Sequence, residues 1–144
     1  MSWKQFEENA GEMAAFGKSR FGSSVAYLAT IRKDGSPRVH PVTPIIGEGH
    51  LLLFMEPTSP KGHDLRRDPR YALHNAVEDN DGGGGEFYVM GKATYVESPA
   101  LREIAAKHGF TPKDHYILFE FSVERAFQNV YENDQPNIKR WQAE

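Results

Sequence analysis

The sequence predicts a mainly β chain folded as one antiparallel barrel of six strands with short flanking α-helices. Two observations point there. Short apolar segments follow one another at meander-like spacing, separated by tight-turn signals, and few connections are long enough for the helical crossovers that parallel sheets require. The 144 residues contain no cysteine and carry a net charge of only -3, so a core must form without disulfides or thiolate-bound metal. One domain spanning residues 1–144 is expected at this length.

The elements follow in order. Trp3, Phe6, Ala10, Met13, Ala14 and Phe16 recur mostly three or four apart, with Glu7, Glu8 and Glu12 between them, which predicts an amphipathic helix capped by Ser2 and stopped near Gly17. Ser23–Arg32 is apolar on nearly both sides, as in a strand covered on two faces. Lys33-Asp34-Gly35-Ser36 supplies a hairpin turn, because Asp-Gly accepts positive φ without strain. Arg38–Ile46 is the second strand, and its Pro41 and Pro44 demand an edge or a bulge. His50–Met55 is a buried third strand after the Gly47-Glu48-Gly49 turn.

Thr58-Ser59-Pro60-Lys61 opens a helix that Asp68-Pro69 ends. Tyr71–Val77 is the fourth strand, and Asp79–Gly85 with its four glycines a mobile surface loop. Phe87–Val96 is the fifth strand, with Gly91 at a bulge or a close backbone approach. Ser98-Pro99 opens a helix to His108. Tyr116–Val130 holds the sixth strand, with a bend into a further segment after Glu124, and residues 132–144 form a polar tail containing Ile138 and Trp141.

Composition excludes several function classes. No apolar run approaches the ~20 residues of a membrane span, and the N-terminus lacks the pattern of a signal peptide, so a cytoplasmic setting is expected. The mild acidity gives no electrostatic basis for nucleic-acid binding. The six histidines show no metal-ligand spacing, the tetraglycine lacks the lysine of a phosphate loop, and no nucleophile elbow is present. No catalytic residue and no metal ligand stand out.

The sharpest local feature is Ser59-Pro60-Lys61. A helix N-terminus offers free N–H groups and a partial positive charge, and here it gains hydroxyls and an ammonium. Lys61 opposes its own helix dipole, so it is either a phosphate ligand or a solvated surface lysine. His40 is either a ligand contact or a histidine satisfying a backbone carbonyl.

Val25-Ala26-Tyr27-Leu28-Ala29-Thr30, Gly35-Ser36-Pro37-Arg38-Val39-His40-Pro41-Val42, Ser59-Pro60-Lys61 with Leu65-Arg66-Arg67-Asp68-Pro69-Arg70, and Phe87-Tyr88-Val89-Met90-Gly91-Lys92-Ala93 occur in an order and spacing that resembles the pyridoxamine 5′-phosphate oxidase-like split-barrel family. The resemblance implies a six-stranded antiparallel split barrel of Greek-key type, forming a homodimer with a cofactor cleft at each side of the interface. It implies FMN, or deazaflavin F420 in its place, with His40, Pro41, Val42 and Thr43 beside the ring and ribityl chain, Phe54 and Met55 lining the same cleft, Ser59 and Lys61 on the phosphate, and Glu86 near a flavin-contacting position. His40 stands where the oxidases have an arginine, and Pro60 where a second basic residue precedes the lysine. The chain's end carries no version of their substrate-binding arginine and histidine motif, so vitamin B6 oxidation is not the expected reaction. The expectation is a flavin-dependent oxidoreductase acting on a small molecule; the alternative is a dimer that holds flavin, haem or a B6 vitamer without turnover.

Overall fold

The computed structural model describes residues 1–22 and 25–144, so the predicted start of the first strand at Ser23 and Ser24 lies outside the described residues. The described chain contains four helices, α1 (Trp3–Asn9), α2 (Gly11–Gly22), α3 (Pro60–Arg67) and α4 (Pro99–His108). Its nine strands are β1 (Ala26–Ile31), β2 (Pro37–Val42), β3 (Ile45–Gly47), β4 (His50–Met55), β5 (Arg70–Asn75), β6 (Glu86–Val96), β7 (Ile117–Phe121), β8 (Arg125–Glu132) and β9 (Gln135–Gln142). All pairings are antiparallel.

The strand order β2-β1-β5-β6-β7-β4-β3 is branched at β6, which also pairs β8, and β8 carries β9. Glu86–Met90 of β6 pair with β8, whereas Ala93–Val96 pair with β7. Gly91 sits at the change-over. A Cβ there would lie 2.3 Å from the Ser122 carbonyl oxygen, so only glycine admits the bent connection between β7 and β8. The sheet curls around this point.

Five sequence expectations change. Residues 3–16 are not one helix: Ala10 leaves helical geometry at φ -143, ψ 57, still bonded to the Phe6 carbonyl, and a second helix starts at Gly11. Gly17 does not stop it. Its missing Cβ admits the Phe87 ring, and α2 continues to Gly22. The predicted strand at 38–46 divides at Pro44 into β2 and β3, because proline cannot continue the ladder and the chain crosses from β1 to β4. Pro37 and Pro41 are tolerated because β2 is an edge strand. The polar tail is β9, and the six predicted strands thus resolve into nine segments. Eight register pairs join β9 to β8, and its Trp141 inner face packs on Phe6 at 4.9 Å between ring centroids.

The main core gathers Trp3, Phe6, Phe21 and Phe87 under α1 and α2 with Leu28, Leu73 and Phe121 of the sheet. A smaller core, Ile45, Leu52, Phe54, Ala105 and Leu118, lies beneath α4. The loop at 78–85 is knit by turns: Asp79 Oδ1 accepts from the N–H groups of Asp81 and Gly83, and Glu78 N–H donates to the Gly83 carbonyl. No described helix is long and apolar enough to cross a membrane.

Candidate functional site

The N-terminus of α3 is built as the sequence predicts. Ser59 is the N-cap, its Oγ accepting from Gly62 N–H at 3.3 Å, Pro60 occupies the first turn, and Asp68 ends the helix. A Cβ on Gly62 would approach the Met55 sulfur at 3.2 Å, so this turn is pressed against the end of β4.

Opposite it runs the edge strand β2. Its register with β1 pairs Arg38 with Thr30, His40 with Leu28 and Val42 with Ala26. Thr30, Leu28 and Ala26 are buried, so Arg38, His40 and Val42 share the inner side of the sheet, toward α3.

Asp64 ties α3 to these strands. Its carboxylate is 3% exposed; Oδ2 accepts from Thr30 Oγ1 at 2.8 Å and from Arg38 Nε at 2.7 Å, and Oδ1 accepts from Arg67 at 3.2 Å. Burial pushes this carboxyl up, but the hydrogen bonds from Arg38, Thr30 and Arg67 outweigh it and hold it below the usual carboxylate range. Arg38 spends only Nε on Asp64. Both of its terminal nitrogens are without a protein partner among the described residues.

Lys61 is half-buried and makes no ion pair among the described residues, and burial pushes its ammonium below the usual lysine range. His40 is held below the usual histidine range by burial, then by the charges of Lys61 and Arg38. Two cations and an imidazole therefore converge on one helix N-terminus with no anion among them except Asp64, which is already saturated. An arrangement of this kind is complementary to a phosphate.

The structure separates the other predicted residues. Val42 is buried in the main core, Pro41 is on the outer face, and Thr43 lies exposed beyond the strand. Phe54 and Met55 alternate to opposite sides: Met55 lies under α3, while Phe54 is buried in the smaller core with Phe110 at 5.7 Å and the Arg102 guanidinium at 5.2 Å. Phe54 thus does not line this cleft within one chain. Glu86 does not reach it either. It accepts from Asn129 Nδ2 at 3.1 Å on the outer face, beside a cavity of about 480 Å³ lined by Asp79, Tyr131 and Asp134.

Thr30 and Asp64 were not singled out from the sequence as site residues, and Arg38 and Arg67 stand there only within the motifs that carry the resemblance. The signal for Arg38 was its two-residue offset from His40, which puts both on one face of a strand. Four histidines are taken up by carboxylates elsewhere: His50 with Glu120 at 2.5 Å, His108 with Glu48 at 2.9 Å, His115 with Glu56 at 2.9 Å, and His74 with Glu86 at 4.0 Å.

The fold has known relatives. The profile of the pyridoxamine 5′-phosphate oxidase family matches residues 11–131. The chain belongs to that family. Its fold is similar to that of a protein related to general stress protein 26, of the pyridoxinephosphate oxidase family, from Clostridium acetobutylicum, with a TM-score of 0.63, 16% identity and 95% of each chain covered. It is also similar to a haem-binding protein from Mycobacterium smegmatis, with a TM-score of 0.64, 21% identity, and 87% of this chain but 57% of that one covered. The haem storage protein of Vibrio cholerae gives a TM-score of 0.61 at 16% identity, covering 80% of this chain and 89% of that one. No curated protein matches the chain in sequence. Two of these similar folds are thus haem proteins, and the fold by itself does not name the group that a chain holds.

Proposed function

We propose that this member of the pyridoxamine 5′-phosphate oxidase family is a cytoplasmic FMN-dependent oxidoreductase, a homodimer that exchanges hydride with a small-molecule substrate. The observation that carries the reading is Lys61: a half-buried ammonium with no anionic partner among the described residues, at a capped helix N-terminus, facing Arg38 and His40. A buried, unpaired cation costs free energy unless a ligand supplies the counter-charge.

The residues present fit a phosphate monoester. Lys61 and the terminal nitrogens of Arg38 would hold its oxygens, Ser59 would keep the helix end open by capping Gly62, and neutral His40 would offer a ring nitrogen to the adjoining part of the cofactor. Arg38 supplies the second cation that Pro60 and His40 do not. When bound, the flavin supplies the hydride-accepting ring, and the chain contributes position and electrostatics.

The outer face beside β2 supports a second copy as partner. Tyr27 is 45% and Val39 63% exposed, with Ala29 and Ala72 between them, and this apolar end adjoins the edge strand that bears His40. The lack of cysteine agrees with a reducing cytoplasm. F420 is the rival cofactor at the same phosphate site. The fold shared with two haem proteins favours a second reading, a binding protein without turnover.

The test is the absorption spectrum of the purified protein followed by titration with FMN and, separately, F420. Saturation at one FMN per chain, with affinity falling about tenfold or more in Lys61→Ala, is the expected result. Binding of neither cofactor overturns the oxidoreductase reading, and a haem band moves the case to the binding protein. Reduction of bound FMN by a nicotinamide and its reoxidation by an acceptor then separates turnover from storage.

A further inference from the structure

Lys61 differs from every other lysine of the chain. Of the eight lysines, seven are exposed and Lys61 alone is half-buried. Asp64 follows three residues on along the same face of α3, yet its carboxylate is taken by Thr30, Arg38 and Arg67. The Lys61 amine is left without an anion among the described residues.

The backbone adds a second free donor on the same residue. In the first turn of α3 the Ser59 Oγ takes the Gly62 N–H and the Ser59 carbonyl takes that of His63, while Pro60 has none to offer. The Lys61 N–H has no acceptor among the described residues. Arg38 is anchored about one helical turn away, where Asp64 holds its Nε at 2.7 Å and leaves its terminal nitrogens open.

His40 completes the cluster. It lies near enough to feel the charges of both Lys61 and Arg38. Unlike His50, His74, His108 and His115, it has no carboxylate within ion-pair distance among the described residues. Burial disfavours the charged form of an amine, and lysines so placed beside other cations serve as nucleophiles. An oxyanion donor set and such an amine on one residue suit an activated acyl group that carries its own phosphate.

We propose, resting on the reading of the α3 end as the cofactor's phosphate site, that Lys61 is acylated by small acyl phosphates and that this modification switches cofactor binding off. The phosphate is held by the Lys61 N–H and the terminal nitrogens of Arg38, which sets the acyl carbonyl beside Nζ. The neutral amine attacks the carbonyl carbon, a C–N bond forms, and the C–O bond to phosphate breaks with its electron pair leaving on inorganic phosphate. The proton released from nitrogen passes to the neutral ring of His40. No oxidant or reductant is needed. The product amide has lost the charge that the cofactor's phosphate requires, and its acyl group fills the same space.

The experiment treats the full chain with acetyl phosphate and, separately, with N-hydroxysuccinimidyl acetate, an acylating agent without phosphate, and reads acetylation at each lysine by peptide mass spectrometry. Acetyl phosphate is expected to modify Lys61 at least about tenfold faster than the exposed lysines, whereas the succinimidyl ester shows no such preference. Inorganic phosphate and FMN each protect Lys61, and the chain acetylated there binds FMN at least about tenfold more weakly. Arg38→Gln lowers the Lys61 rate and leaves the other lysines unaffected; competition by inorganic phosphate makes the same test on the unaltered chain, so a variant that fails to fold does not decide the matter. Saturable FMN binding with Lys61 modified no faster than the exposed lysines, or with the same preference for both reagents, overturns the acylation and leaves the cofactor reading standing. Fast, phosphate-competed acetylation of Lys61 in a chain that binds no FMN bears out the acylation step and overturns the cofactor reading.

Discussion

Two helices of this protein start alike and end up in different chemistry. α3 opens with Ser59-Pro60-Lys61 and α4 with Ser98-Pro99-Ala100; each serine caps its helix, accepting from the third residue on at 3.3 and 3.1 Å. Each proline sits in the first turn. The local physics of the two N-termini is the same, and so is the partial positive charge each exposes. What separates them is the company. α3 meets an edge strand that brings Arg38 and His40 to its end, while α4 meets Glu97 and the apolar residues Tyr95, Val96 and Ile117 around a cavity of about 320 Å³. A capped helix start is common; one whose lysine has no anionic partner among the described residues, and which meets a guanidinium and an imidazole from an edge strand, is what we read as an anion site.

The largest effect is expected where the cluster is held together. Asp64→Ala removes the common acceptor of Thr30, Arg38 and Arg67 and leaves a buried hydroxyl and two guanidinium groups to find new partners. A loss of about 3 kcal/mol is expected in denaturant unfolding, the lower end for breaking a buried pair because Arg38 and Arg67 retain some exposure. An unchanged midpoint would show that Asp64 does not hold the cleft.

The two caps sharpen the comparison at the next scale. Ser59→Ala and Ser98→Ala should each cost about 1 kcal/mol of stability, since the lost hydrogen bond is the same. Only Ser59→Ala should also weaken FMN binding. Equal FMN affinity in the two variants would mean that the α3 end is as remote from the cofactor as the α4 end.

His40 provides a smaller, pH-dependent signal. Its folded pKa lies below the ordinary ~6.5, so the unfolded chain takes up a proton first as the pH falls. Stability from this group is fully present above about 6.5 and is lost as the pH falls through the folded value. A bound phosphate compensates Lys61 and Arg38, so FMN should raise the His40 pKa, read by imidazole NMR; a titration midpoint unmoved by FMN would place the phosphate elsewhere.

The smallest effect makes the two helices identical in sequence at the second turn position. Ala100→Lys introduces a cation at the α4 end and should cost a few tenths of a kcal/mol through the helix dipole. It should not create a second FMN phosphate site. Two FMN per chain in this variant would show that the local motif suffices and that Arg38 and His40 are dispensable.

Much of the architecture is legible in the chain. Asp34-Gly35, Glu48-Gly49, Ser59-Pro60 and Ser98-Pro99 mark turns and helix starts that the structure reproduces, with Gly35 at φ 88 and Gly49 at φ 82. These signals are local, carried by residues whose backbone preferences act over three or four positions. The failures are non-local. Gly17 reads as a helix stop, but Phe87, seventy residues on, needs the space its Cβ would fill. Residues 132–144 read as a polar tail, but pairing with β8 makes Gln135–Gln142 of it a strand.

The candidate site divides the same way. Residue types and spacing determined the capped N-terminus, the placement of Lys61 in its first turn, and the shared face of Arg38 and His40, because helix and strand periodicities are fixed by backbone geometry. Only the tertiary structure decided that β2 and α3 face each other, that Asp64 is the buried acceptor joining them, and that Phe54 and Glu86 are directed away. Those facts depend on which strands pair and on what the core buries, and pairing brings together residues such as Thr30 and Asp64 that share no local signal in the sequence.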